Sequence, residues 1–378
     1  MASDMHQDPG ELRTSPVAPA QGDAGPPRRK RLGTPARIAL GLLVLGVVVF
    51  ALLRAHSAAH DFVAAFAHFE PARLPWLVLA VGAEMLSFFC YALVQRRLLR
   101  AGGARLNRRT MVGLAVAATG ITNLVPGGTA PASGWLVGQY RRRSISMPLA
   151  MWAVLAGGFA AVVSILVLLV VGAAIAGLLS PLEAVGCAVV VFGTAAALVA
   201  MVHRLSAVES WLDRRARHRW ARALRGLATR AAAIVQFRMT IPTGAHVLAL
   251  SLANWTMDVF CLVASFEVLG RPIPWHAVLF AYAVAQVAGS LAPVPGGIGF
   301  VEGGMVGAFA LVGSPAGDAL AATIVYRAIT CWAVAAVGSL MLFVIQRRPA
   351  PCADPDEVAH PGHEGGHRVR IAPVGDIP

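Results

Sequence analysis

Apolar runs of membrane-spanning length constrain this chain more than any other feature. An α-helix rises about 1.5 Å per residue, so about 20 apolar residues are needed to cross roughly 30 Å of hydrocarbon. Runs of that order occupy residues 36–54, 75–98, 147–171, 181–203, 243–268 and 318–345. Charged residues make up only 13% of the chain, about half the share of an average soluble protein. The expectation is an all-α integral membrane protein with about six full transmembrane helices.

Two further apolar segments, 110–140 and 275–312, are broken in the middle. The first break reads Asn123-Leu124-Val125-Pro126-Gly127-Gly128-Thr129 and the second Pro293-Val294-Pro295-Gly296-Gly297-Ile298-Gly299. Proline removes a backbone donor and adjacent glycines disfavour helix, so neither segment runs through as one helix. The arm from 129 to 140 is too short to span, which favours re-entrant hairpins. Broken backbone at membrane depth is tolerated only where protein or a water-filled cavity surrounds it, so both breaks point to an interior site.

Arginine placement orients the chain. Lys30 is the only lysine, and the formal charge of +13 is spread between apolar runs rather than gathered on one soluble face as a nucleic-acid binder requires. With a cytoplasmic N-terminus, the inner side carries Arg28 to Arg31, Arg96 to Arg109, Arg141 to Arg143, the 204–238 stretch, Arg347 and Arg348. The outer side carries little beyond Arg54, Arg73 and Arg271. That pattern follows the positive-inside rule and predicts cytoplasmic termini in a bacterial-type plasma membrane. In this topology the first hairpin enters from inside and the second from outside. Repeat one (75–171) and repeat two (243–345) then form an inverted repeat, an architecture of secondary transporters in which broken helices meet near the midplane.

The remaining segments are peripheral. Residues 1–34 and 346–378 read as disordered tails, and His360, His363 and His367 in the second tail form no organised metal site. From 204 to 240, apolar residues recur every three or four positions among arginines, the pattern of an amphipathic helix on an anionic leaflet or packed on its own domain. The five cysteines lack a paired motif and read as small buried hydrophobes. No metal-binding, nucleophile-elbow or nucleotide-binding motif is present; the expectation is a protein without cofactor that is not an enzyme.

Ionisable residues inside spans are costly and mark candidate sites. Glu302 follows the second break on the first turn of the restarted helix, where the helix dipole favours its carboxylate. Arg327, after Tyr326, lies mid-span and keeps its charge. Two readings stand side by side. In one, Arg327 and the free N–H groups after Gly128 and Gly297 receive a lipid phosphate. In the other, Arg327 is locked to Glu302 or Asp258. Asn123 contacts a ligand or caps exposed backbone. The candidate binding residues are thus Asn123, Pro126, Gly127, Gly128, Pro295, Gly296, Gly297, Glu302, Tyr326 and Arg327. Glu84, Asp258, Arg96 and Arg97 are secondary candidates, the two arginines doubling as topology anchors.

At these residues the sequence resembles the flippase-like membrane domain of bacterial lysylphosphatidylglycerol synthases and their stand-alone relatives. The resemblance rests on the stretch from Pro293 to Glu302 followed by Tyr326-Arg327, with support from Leu124 to Gly128 and from Gln95-Arg96-Arg97-Leu98-Leu99. It covers roughly residues 36–345. It implies movement of an anionic or modified phospholipid between leaflets, without the aminoacyl transfer of the soluble synthase domain. Where many members carry an arginine after the first hairpin and a Glu-Arg pair in the next span, this chain has Gly134-Trp135-Leu136-Val137 and Gly157-Gly158-Phe159-Ala160. A polyprenyl-phosphate-linked lipid is therefore an alternative substrate, and anchoring of a cell-envelope enzyme or a membrane-embedded transferase are alternative functions.

Overall fold

The computed structural model describes residues 70–215, 237 and 239–347. The first apolar run, nearly all of both tails, the basic cluster at 28–31 and most of the 204–240 segment lie outside the described residues.

Among the described residues the chain is all helical. After a short turn at Pro71–Arg73 come α1 (Leu74–Ala101), α2 (Arg108–Leu124), α3 (Thr129–Arg141), α4 (Met147–Ile175) and α5 (Pro181–Arg215). Then follow α6 (Ile241–Val268), α7 (Trp275–Leu291), α8 (Phe300–Leu311), α9 (Ala316–Arg327) and α10 (Val334–Arg347). Helices α1, α4 and α6 each begin with a proline in the first turn, where its missing N–H breaks no intrahelical bond. Five helical rods are long and apolar enough to cross a membrane: Pro71–Ala101, Met147–Ile175, Pro181–Met201, Ile241–Val268 and Ala316–Arg347. They match the five expected spans within the described residues. One boundary differs: α5 continues through Arg215 as a single 35-residue helix, so the expected amphipathic segment does not start as a separate element at 204.

The hairpin arms α2, α3, α7 and α8 have 17, 13, 17 and 12 residues, about 26, 20, 26 and 18 Å of helix. Each falls short of a full span, as re-entrant arms do. The last rod is one helix in outline but changes winding within it. Directly after Arg327, Ala328–Ala333 form a π turn before α10 resumes, and such turns recur at functional sites.

The inverted relation of the halves is visible in how the helices pack. Helices α1 and α6 make the largest interface, and they are antiparallel. Arg73 Nη1 at the start of α1 donates to Glu267 O at the end of α6 (2.9 Å), while Ser87 Oγ donates to Asn254 Oδ1 (3.1 Å) at their middles. Equivalent elements then exchange partners: α2 of repeat one packs on α10, and α4 packs on α7 of repeat two. In both cross-contacts a glycine lets backbones touch. Gly120 meets Gly338, and Gly172 meets Leu279 and Phe280. Small residues at the crossing take the place of the hydrophobic drive that lipid cannot supply.

Two apolar cores form at opposite ends of this pair. One joins Ala80 and Ala83 of α1 with Cys261 to Val268 of α6 and the inward faces of α7, α8 and α9. The other joins Ala92 to Leu99 of α1 with α2, α3, the first half of α4 and Val247 of α6. Between them, α1 and α6 present a polar belt: Glu84, Ser87, Ser251, Asn254 and Asp258. On its outer side, α5 carries exposed Leu182, Val185, Val189 and Val190, a surface suited to acyl chains.

Candidate functional site

The polar belt lines a cavity of about 600 Å³ that takes walls from both repeats. Ser87 and Asn254 sit at the midpoints of the 28-residue α1 and α6, and Ala161 at the midpoint of α4 lines the same space. The cavity therefore lies at mid-depth of any bilayer these helices cross. Both breaks reach it: Gly127, Gly128 and Thr129 from the first, Val294, Gly296 and Gly297 from the second. They meet directly, since a Cβ built on Gly296 would lie 3.2 Å from the Asn123 carbonyl oxygen. Gly127, Gly296 and Gly297 all have positive φ, which a residue with a Cβ adopts only at a cost.

The charged centre belongs to repeat two. Arg327 Nε donates to Glu302 Oε1 (2.8 Å) and Nη2 to the Gly296 carbonyl (2.6 Å), while Glu302 Oε2 accepts from Gly299 N (2.6 Å). Glu302 thereby caps the restarted helix α8 and holds Arg327, whose guanidinium is tied back to the break itself. Arg327 is only 8% exposed and lines the cavity, and among the described residues its Nη1 makes no hydrogen bond. Of the two partners expected from sequence, the structure selects Glu302. Asp258 Oδ2 instead accepts from Tyr282 OH (2.6 Å), Tyr326 OH (3.1 Å) and Gln286 Nε2 (3.3 Å).

Asn123 takes the capping role. Its Nδ2 donates to the carbonyl oxygens of Thr330 (3.2 Å) and Cys331 (3.3 Å), groups in the π turn where the regular ladder is displaced. Asn123→Ala is expected to remove about 1–3 kcal/mol of stability by orphaning these carbonyls, read as a lower unfolding temperature in detergent.

The other candidates divide. Gly127, Gly128, Gly296, Gly297, Tyr326, Glu84 and Asp258 line the cavity, whereas Pro126, Pro295 and Glu302 stand behind its wall. Arg96 and Arg97 do not reach it. Arg96 Nε donates to the Leu106 carbonyl (3.0 Å) and Arg97 is exposed, because both lie at the end of α1, some two to three helical turns from its midpoint. Sequence reasoning missed Ser87, Asn254, Gln286, Tyr282 and Trp255. All but Tyr282 line the cavity, and Tyr282 supports Asp258. Each is an isolated uncharged residue inside an apolar run, with no period or motif to single it out.

The Val-Pro-Gly-Gly motifs start at Val125 and Val294, an offset of 169 residues. At that offset Glu302 and Arg327 correspond to Ser133 and Gly158. Ser133 and the adjacent Gly157 line the cavity; where repeat two holds an ion pair, repeat one leaves room.

Comparison with known proteins agrees with this architecture. The model of the family described as the lysylphosphatidylglycerol synthase TM region matches residues 38–338. A UPF0104 membrane protein of Methanothermobacter thermautotrophicus is 33% identical over 94 residues, which cover 25% of this chain and 28% of that protein. The aligned stretch is thus just over a quarter of that relative's length. With apolar rods of spanning length, paired broken hairpins and a family match across most of its length, the chain is a multi-pass membrane protein that belongs to the lysylphosphatidylglycerol synthase transmembrane-region family.

Proposed function

We propose that the protein moves a phosphate-bearing lipid between leaflets, the headgroup passing through the midplane cavity while the acyl chains stay in the bilayer. One observation carries this reading: a polar cavity of about 600 Å³ at the midpoints of three spans, walled by both broken hairpins and faced by Arg327. Ionisable and polar side chains gathered at mid-depth of a membrane protein are expensive unless they serve a polar occupant. Arg327 Nη1 is the donor for a phosphate oxygen. Inversion of the two halves supplies the means of opening the same site to either side.

Vesicles carrying the purified protein and a headgroup-labelled phosphatidylglycerol test the proposal. Leaflet exchange faster than in protein-free vesicles is expected. Exchange no faster than the protein-free background across anionic phospholipids and polyprenyl phosphates would exclude it.

A further inference from the structure

The cavity contains a second ionisable centre that phosphate recognition does not use. Glu84 on α1 and Asp258 on α6 lie about one turn beyond the Ser87–Asn254 bond of the antiparallel pair and both line the cavity, and Glu84 is only 5% exposed. Each carboxyl group keeps one buried oxygen without a partner: Oε2 of Glu84 and Oδ1 of Asp258. Asp258 Oδ2, by contrast, is fully engaged by Tyr282, Tyr326 and Gln286. Two neighbouring carboxylates in a buried wall repel, and both have only acceptors to offer. A single proton held between them removes the repulsion and turns one acceptor into a donor, the arrangement by which paired carboxyl groups share a proton elsewhere.

The surroundings reinforce this. The ionisable groups facing the pair are Cys261 on α6, Tyr282 on α7, and Tyr326 and Arg327 on α9. Helices α2 and α4 contribute only Thr119, Thr122, Asn123, Gly157 and Ala161 to the cavity wall. The nearest cation, Arg327, is already held by Glu302. No neighbouring cation is therefore free to neutralise the pair among the described residues. Tyr326 OH donates to Asp258 and the next residue is Arg327 itself, so one turn of α9 links Asp258 to the phosphate-receiving arginine.

We propose that Glu84 and Asp258 form a proton-binding site whose occupation accompanies passage of an anionic headgroup. The inference rests on the lipid-translocation reading above. With both groups ionised, Glu84, Asp258 and Glu302 outnumber Arg327 and the cavity repels an anion. Each proton taken up makes the cavity one unit more positive. Headgroup and proton thus favour each other's binding and cross together, toward the side of lower proton concentration. For one proton, affinity for the anion changes by at most about tenfold per pH unit.

The test uses the same vesicles with an imposed pH difference. Labelled phosphatidylglycerol is expected to accumulate in the leaflet facing the alkaline side, and the double variant Glu84→Gln, Asp258→Asn is expected to abolish that skew. Exchange that proceeds in the wild type without any skew overturns the proton site and leaves lipid translocation standing. If no exchange occurs, the translocation reading fails, and infrared spectroscopy of the wild-type protein decides the pair separately. A protonated carboxylic acid band that titrates with pH and vanishes in the single variant Glu84→Gln supports the site; no such band at any pH overturns it.

Discussion

Replacement of Arg327 by alanine is expected to cost stability, by less than the ~3–5 kcal/mol typical of stranding one member of a fully buried ion pair, since the Glu302 side chain is 26% exposed. Glu302 would keep its bond to Gly299 N but lose its cation, and the Gly296 carbonyl would lose its donor. Arg327→Lys should recover only part of this. A single ammonium cannot reproduce the two divergent bonds made by Nε and Nη2. The double variant Arg327→Met, Glu302→Leu separates structure from function. It removes the pair without leaving an orphan charge, so much of the stability should return, while lipid exchange should not. Unfolding in detergent followed by the tryptophan signal, run beside vesicle exchange, checks both halves. A double variant that exchanges lipid at the wild-type rate would mean that the pair is only a structural lock.

The second large effect is expected at a helix crossing remote from any charge. A Cβ built on Gly338 would lie 2.7 Å from Gly120 Cα and 2.8 Å from the Val116 carbonyl oxygen. Both obstacles are backbone atoms, which cannot swing aside as a side chain can. Gly338→Val must therefore push α10 off α2 and open the interface that joins the two repeats. A cost of about 1–3 kcal/mol is the usual range for overpacking, and the upper end is expected here because small residues are what allows such a crossing in lipid. Gly82 has nothing within 4 Å of its built Cβ, so Gly82→Val provides the matched control with little change in unfolding temperature. Equal losses at both positions would show that the crossing is not tight.

The opposite fates of Arg327 and Asn254 indicate what could be read from sequence. Spans, breaks and the Glu302–Arg327 pair were legible because each has a local signature: apolar length, proline beside glycines, and charges in an apolar run. The partner of Arg327 was narrowed to two carboxylates, and only the fold of α8 against α9 decides for Glu302. Asn254 and Ser87 carry no local signature, since an isolated polar residue in a span has no period and no motif. They gain meaning only when α1 and α6 cross antiparallel at their midpoints and bring the two side chains within 3.1 Å. The π turn after Arg327 was equally silent, because its sequence, Ala328 to Ala333, is ordinary helix former and apolar residue. Its signal lay 200 residues away, in the Asn123 amide that satisfies its carbonyls. Arg96 and Arg97 stand apart from the cavity, because their place at the end of α1 keeps them from the midplane.

The central claim is that the midplane cavity is the headgroup's path. Ser133 lines this cavity in repeat one at the position corresponding to Glu302, and its side chain makes no hydrogen bond among the described residues. Filling it with Ser133→Trp leaves every charged group in place. The decisive measurement is leaflet exchange of headgroup-labelled phosphatidylglycerol by this variant in vesicles, beside its unfolding temperature. Loss of exchange with an unfolding temperature close to that of the wild type is the predicted result; exchange at the wild-type rate through a plugged cavity would contradict the account.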